Sequence, residues 1–543
     1  MLKTRFFAGL AAGLFVLAVF LILFQSPFQS PFQSLFESEA EREGSERSVI
    51  VETTEGPVAG IALENSVHAF KGIPYALAPI GTLRWQPPQN PVPRDRLLKA
   101  TAFAPACPQS QYTQDWYRDV ASYFGHPPEV VGALENVAED CLFLNIWTQN
   151  KPQNKKNAPQ QQNKPVMVWI HGGSNISGYA HEPNYAGHHF AAQGVVLVTI
   201  NYRMGPLGFM AHPLLDAQDP SGASGNYGLM DIVQALHWLK ANIAAFGGDP
   251  DNVTVMGESA GGANIKSLFQ VKQAQGLFHK AIIQSGALGP FDNVSKERAL
   301  AYGSQFMDAL GLSDIEDMRQ MSWQALDNQR AAMSGAYYHA PVTDNIYLFD
   351  PARFFNPVPL IIGSNLDEWR MYLPEDVEAD FNANLDSYYN ASKTEAASWF
   401  TQNHPDPVTR ADRVITAAEF LCPSVSMAGK MRQAGQPGYV YLFTRERQGG
   451  AALGAYHGAE IPYVFKTHDT WLPVTQKDIE LSDMMMRYWI NFAMAENPNG
   501  DGLPGWQIFD LTDRPYLDLG DMTGTHKNLG VPFCSYLDPS LTN

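Results

Sequence analysis

Gly257-Glu258-Ser259-Ala260-Gly261 is the only G-x-S-x-G in the chain. The pentapeptide alone is a weak signal; its setting is what gives it weight. Asn252-Val-Thr-Val-Met256 reads as a strand entering it, and Ala260 to Gln270 reads as a helix leaving it. A serine on so sharp a strand-to-helix bend is held in a strained conformation, with its hydroxyl clear of the sheet. Glycines on both flanks let the backbone turn without Cβ clashes. The N–H of Ala260, at the helix start, points toward a developing oxyanion. The ordinary alternative for such a serine is a helix N-cap. The chemistry implied is nucleophilic acyl transfer.

A serine needs a base, and the base needs an acid to hold its tautomer. In this kind of fold the order along the chain is nucleophile, acid, histidine. Six histidines follow Ser259: His279, His339, His404, His457, His468 and His526. His457 lies in the glycine-flanked segment Gly454-Ala-Tyr-His-Gly-Ala-Glu460, after a late strand. The acid should leave an intervening strand, and Ile361-Ile-Gly-Ser-Asn-Leu-Asp-Glu368 offers both Asp367 and Glu368. Residues alone leave both choices open. A second glycine loop, Trp169-Ile-His-Gly-Gly-Ser174, can present consecutive N–H groups to a tetrahedral oxygen.

The elements that must position these groups show in the apolar pattern. Val166–Ile170, Val195–Ile200, Val253–Met256, Lys280–Gln284, Leu360–Ile362 and Tyr439–Phe443 read as buried strands. Between them Leu229, Ile232, Leu236, Leu239 and Ile243 recur at helical spacing, closed by Gly247 and Gly248. Arg298–Leu310 and Leu481–Ala495 carry similar patterns. Strands alternating with helices predict an α/β fold: a large, mostly parallel central sheet with helices on both faces. The polar tract Asn150–Pro165 reads as an exposed loop.

The chain resembles the type-B carboxylesterase and cholinesterase family, an α/β-hydrolase group, from about Val51 to Leu537. The resemblance rests on motifs in order: Phe70-Lys-Gly-Ile-Pro-Tyr-Ala76, Leu83-Arg-Trp85, Glu139-Asp-Cys-Leu-Phe-Leu-Asn145, Asn201-Tyr-Arg203, Phe246-Gly-Gly-Asp-Pro250 and Gly257-Glu-Ser-Ala-Gly-Gly262. It implies a triad of Ser259, Glu368 and His457, choosing Glu368 over Asp367. It also implies an oxyanion hole from the N–H groups of Gly173, Ser174 and Ala260. Most relatives have Gly or Ala where Ser174 stands; the serine adds a hydroxyl and keeps the N–H. The family's cysteine pairing matches Cys107–Cys141 and Cys422–Cys534, and a structural ion pair maps onto Arg84 and Glu139. Glu258, beside the nucleophile, is also carried by the family. It reads either as a bias toward cationic groups or as a buried acid satisfied by N–H donors.

The resemblance also narrows the substrate. Cholinesterases have a tryptophan ten residues before the cysteine that matches Cys141; here that position is Val131. The only tryptophan between Cys107 and Cys141 is Trp116, far from that spacing. A choline-type cation–π site is therefore unsupported, and a general carboxylesterase is the better reading. Trp369 and Tyr179 are candidate pocket aromatics. A lipase acting on long-chain esters is the alternative within the class. A non-catalytic, membrane-tethered adhesion module is the alternative outside it, disfavoured because every triad position is filled. No metal or organic cofactor is required.

The formal net charge of −18 argues against nucleic-acid partners, which need a basic footprint. Four cysteines with no C-x-x-C pair suit two disulfides in an oxidising compartment, although count and spacing alone permit three pairings. Lys3 and Arg5 precede an apolar run from Phe6 to Phe24, roughly 19 residues or about 28 Å as a helix, enough to cross a bilayer. No clear small-x-small cleavage site follows, so residues 1–24 read as a signal anchor in preference to a cleaved signal peptide. Acidic residues after the run put the N-terminus in the cytoplasm and the rest outside, periplasmic or extracellular. Residues 25–47 contain the tandem QSPF-QSPF-QSLF, where recurring proline blocks a helix, and read as a stalk. The catalytic domain is expected over 48–543.

Overall fold

A computed structural model describes residues 49–149, 163–288, 293–333, 335 and 339–541. The expected anchor and stalk, and most of the Asn150–Pro165 tract, lie outside the described residues. Contacts divide the chain into Met1–Arg47 and Ser48–Asn543, and every described residue belongs to the second unit.

The framework is a sheet whose main path has twelve strands. In chain order they are β1 (Val49–Thr53), β2 (Gly56–Ala62), β3 (His68–Pro74), β4 (Phe143–Thr148), β5 (Lys164–Ile170), β6 (Val196–Ile200), β7 (Gly248–Glu258), β8 (Lys280–Gln284), β9 (Leu360–Asn365), β10 (Gly438–Phe443), β11 (Tyr516–Leu519) and β12 (Gly524–His526). The two-residue strand Leu98–Lys99 joins β2 from the side. From β6 through β5, β7, β8, β9, β10 to β11 every neighbour is parallel. The six apolar runs noted in the sequence all fall in this parallel stretch, where burial on both faces gives continuous hydrophobic runs.

The sheet is mixed, however. β1 to β4 form an antiparallel edge running into β6, and β12 is antiparallel to β11. The short turn between β1 and β2 cannot hold a crossover helix, so those strands must pair as a hairpin. β5 begins at Lys164, so the end of the polar tract is strand, paired with the loop-to-strand junction at Gly248.

Seven helices matter below: α1 (Tyr112–Tyr123), α2 (Tyr227–Asn242), α3 (Ala260–Leu268), α4 (Lys296–Ala309), α5 (Pro407–Thr416), α6 (Cys422–Gln433) and α7 (Gln476–Ala495). Successive side chains of β5 point to opposite faces of the sheet. Val166, Val168 and Ile170 join one core with Leu229, Ile232 and Leu236 of α2. Met167 and Trp169 join the other with Met485, Trp489 and Phe492 of α7. The expected layering on both faces is thus present. Each fully buried aliphatic side chain contributes about 1.5–3 kcal/mol. The α2 stripe ends in a 3-10 turn capped by Gly247 at φ 82°, while Gly248 already belongs to β7.

Cys107 pairs with Cys141 and Cys422 with Cys534. The Arg84 guanidinium meets Glu139 as a bidentate fork. Among the described residues no helix is long and apolar enough to cross a membrane.

Candidate active site

Ser259 sits where β7 ends and α3 begins, at φ 54° and ψ −126°. A non-glycine residue held there stores about 1–3 kcal/mol of backbone strain, which only a rigid surround maintains. The surround is tight. A Cβ on Gly261 would lie 2.0 Å from the Ile170 carbonyl oxygen, and one on Gly257 would lie 2.6 Å from the same atom. The Ser259 N–H donates to the Gln284 carbonyl at 2.9 Å, tying the bend to β8.

The loop after β10 brings His457 over the serine. Its Nε2 is 2.8 Å from Ser259 Oγ, and its Nδ1 is 2.6 Å from Glu368 Oε2. Glu368 is fully buried, and its other oxygen accepts the Asn365 N–H at 2.7 Å. With Nδ1–H donating to Glu368, Nε2 is left as the acceptor of the serine proton.

Asp367, the rejected neighbour, points elsewhere. It accepts the Ala455 N–H at 2.8 Å and faces Arg413 of α5 at 3.0 Å. Its own N–H donates back to the Ala455 carbonyl at 3.0 Å. A Cβ on Gly454 would meet the Asp367 carboxylate at 2.4 Å, so only glycine fits beside this clasp. Asp367 therefore fixes the histidine loop and stays away from the imidazole. Below it, the fully buried Glu460 accepts from Gln284 at 3.0 Å and from Asn365 at 2.6 Å. Asn365 also donates to the Tyr456 carbonyl at 2.7 Å.

The glycine loop after β5 faces the same cavity, which is lined by Gly172, Gly173, Ser174, Glu258, Ser259 and His457 among others. Gly173 and Ser174 have φ of 97° and 56°. Among the described residues neither N–H donates to a protein acceptor, which leaves both for a ligand. Tyr202 supports the loop from behind: its hydroxyl donates to the His171 carbonyl at 2.9 Å, and its ring stacks on the imidazole of His171. Burial pushes His171 down to about 4, so it is neutral.

Charge in the cavity is unusual. Burial pushes the Glu258 carboxyl up to about 8, with Glu460, Glu368 and Glu182 adding to the effect and His457 opposing it. Its Oε1 has no hydrogen-bond partner among the described residues and lies 3.2 Å from His457 Nε2. The reading of Glu258 as an acid satisfied by N–H groups therefore fails for that oxygen. Burial acts to lower His457, but the carboxylates of Glu258, Glu368 and Glu460 outweigh it and raise the imidazole to about 9. Glu182, a buried residue of the cavity lining, is pushed up to about 7 by burial and accepts from Tyr117 at 2.8 Å.

The other five histidines lie outside this group. His279 Nδ1 meets the Val253 N–H, and His468 meets Arg447 and Ser482. Tyr179 and Trp369 do not line the cavity. Tyr179 is buried with its hydroxyl accepting from Gln114, and Trp369 packs against Phe420 while its backbone N–H donates to Asp412. The aromatic lining comes from Tyr112, Trp116 and Tyr117 on α1 together with Tyr185 and Tyr372. None of these is marked by spacing; Trp116 is noted in the sequence only as standing far from the position of the cholinesterase tryptophan. α1, inside the loop closed by Cys107–Cys141, carries Tyr112, Trp116 and Tyr117 to the site.

A mixed sheet with a parallel centre, carrying a strained serine on a strand-to-helix bend, defines the α/β-hydrolase fold. The Carboxylesterase family profile matches residues 47–536. The para-nitrobenzyl esterase of Bacillus subtilis (strain 168) is 32% identical over 493 residues, covering 87% of this chain and 94% of that protein. The cocaine esterase of Oryctolagus cuniculus is 32% identical over 511 residues, covering 88% and 90%. A solved PNB esterase structure superposes with a TM-score of 0.77 at 31% identity, over 91% of this chain and 99% of that one. The chain belongs to the carboxylesterase family and is a serine carboxylesterase.

Proposed function

We propose that Ser259, His457 and Glu368 form the catalytic triad, with Gly173, Ser174 and Ala260 as the oxyanion hole. The observation that carries this reading is the unbroken line Ser259 Oγ–His457 Nε2–Glu368, with links of 2.8 and 2.6 Å. Ser259 Oγ attacks the ester carbonyl as its proton passes to Nε2. The carbonyl oxygen becomes an oxyanion and takes the three N–H donors, each contributing about 2.7–4 kcal/mol. The tetrahedral species collapses, the carbon–alcohol oxygen bond breaks, and Nε2 returns the proton to the departing alkoxide. Water repeats the sequence on the acyl-enzyme, releasing the acid and restoring the serine. Glu368 holds the tautomer and stabilises the imidazolium throughout.

Small-molecule esters are the substrate class supported by relatives named para-nitrobenzyl esterase and cocaine esterase. A cavity of about 90 Å³ around the serine favours compact esters. The test is p-nitrophenyl acetate hydrolysis: Ser259→Ala should lose at least about 10⁴-fold in kcat. Equal activity in the variant removes the proposed nucleophile.

The cellular address is proposed from the sequence. The apolar run Phe6–Phe24 after Lys3 and Arg5 would anchor the enzyme, with residues 48–543 as its catalytic domain outside the cytoplasm. Two disulfides are compatible with that side of the membrane. Retention of activity in membranes washed with alkaline carbonate is the expected result, and release into the wash contradicts it.

A further inference from the structure

The catalytic cavity is not the largest space near the serine. A second cavity of about 660 Å³ lies beyond it, lined by Tyr112, Asp115, Trp116, Asp119, Tyr123, Met371 and Tyr372 among others. Tyr112, Trp116 and Tyr372 line both cavities. At the boundary the Trp116 indole N–H donates to the Tyr372 hydroxyl at 2.7 Å. One partner stands on α1, inside the loop closed by Cys107–Cys141. The other stands on the turn Arg370–Tyr372, just past Glu368. Two distant parts of the chain thus join through one bond to make a wall.

The wall stands on a definite side of the reaction. His457 must return its proton to the departing alkoxide, so the alcohol half of the ester lies on the imidazole side. Trp116 packs on both residues that flank His457. Its ring centroid is 6.1 Å from that of Tyr456, and a Cβ on Gly458 would sit 3.5 Å from its indole. The space beyond Trp116 therefore adjoins the side on which the alcohol half would lie, with Tyr112, Trp116 and Tyr372 shared between the two cavities. Tyr112, Tyr123 and Met371 offer it apolar and aromatic surface, while Asp115, Asp119 and Ser122 line its solvent side.

We propose that the Trp116–Tyr372 pair is the specificity-determining partition for the alcohol half of the ester. While closed it confines the site to compact alcohols; when it is removed, the outer cavity receives bulky aromatic alcohols. This rests on the hydrolase reading above, since it assigns sides from the proton path of His457.

Two ester series on the full-length protein test it. At fixed acetyl group, kcat/KM for 2-naphthylmethyl acetate relative to methyl acetate should rise at least about tenfold in Trp116→Ala, the low end of what misfit of one methylene costs. At fixed ethyl group, the ratio for ethyl octanoate over ethyl acetate should stay within about twofold, because the acyl side is not widened. Tyr372→Phe keeps the ring and deletes the acceptor. It should move the alcohol ratio the same way by about threefold, and it decides the matter alone if Trp116→Ala does not fold. An unmoved alcohol ratio in the folded variants, or a rise in the acyl ratio instead, overturns the partition. Ser259→Ala run beside them keeps the two readings apart. Activity in that variant sinks the hydrolase reading, whereas its loss together with unmoved ratios sinks only the partition.

Discussion

The serine bend and the aromatic wall face each other across one cavity, yet they are built in opposite ways. The bend is made from consecutive residues: Gly257 to Gly261 turn in one place, and Ile170 presses on both glycines. Its geometry is fixed by backbone contacts too close for any Cβ. The wall is made from side chains more than two hundred residues apart, Trp116 and Tyr372, joined by a hydrogen bond at 2.7 Å. Both of its residues are only partly buried. Local backbone crowding tolerates no variation, whereas a side-chain wall can change size without disturbing the sheet. On the proposed reading, reactivity is thereby separated from selectivity.

Gly261→Ala breaks the rigid side of that contrast. The new methyl would stand 2.0 Å from the Ile170 carbonyl, so β5 or α3 must move. Destabilisation of about 3 kcal/mol or more is expected, read as a lower midpoint in thermal or denaturant unfolding, with loss of activity. A folded, fully active variant with an unchanged midpoint would mean the bend is not the constrained element described.

Glu258→Gln sharpens the contrast from the electrostatic side, with a smaller effect. His457 is raised to about 9 because nearby carboxylates favour its protonated form against the opposing effect of burial. The base form therefore gathers as pH rises through that value. Removing the Glu258 charge takes away the leading raising influence, so the ascending limb of kcat/KM against pH should move to lower pH. A limb that stays in place, or moves upward, contradicts the role assigned to Glu258.

The two regions also differ in how far they can be read from sequence. Ser259 and its glycines are contiguous, and the strand and helix around them follow from apolar runs. The parallel strands were legible for the same reason: burial on both faces leaves unbroken hydrophobic segments such as Lys280–Gln284, whose bounds are those observed. His457 and Glu368 could be narrowed by chain order but were chosen through the family resemblance, because a loop residue's position over the serine is set by tertiary contacts such as the Asp367–Ala455 clasp. The antiparallel edge of β1 to β4 was not anticipated; β1 is mostly uncovered, and β2 and β3 mix buried with half-buried positions and carry glycines, so their apolar pattern is broken. Tyr179 and Trp369 were candidates for the pocket, with ordinary packing the alternative, and are packed elsewhere, while Tyr117, Tyr185 and Tyr372 line it. An aromatic residue carries no mark in sequence of which surface it faces once the chain folds.

The nucleophile itself is open to direct observation. A fluorophosphonate reacts with an activated serine and leaves a covalent adduct that peptide mass spectrometry can locate. One stoichiometric adduct on the peptide carrying Ser259, absent in His457→Ala, is the expected result. Labelling at another residue with full loss of esterase activity, or labelling of Ser259 that is undiminished without His457, would contradict the account.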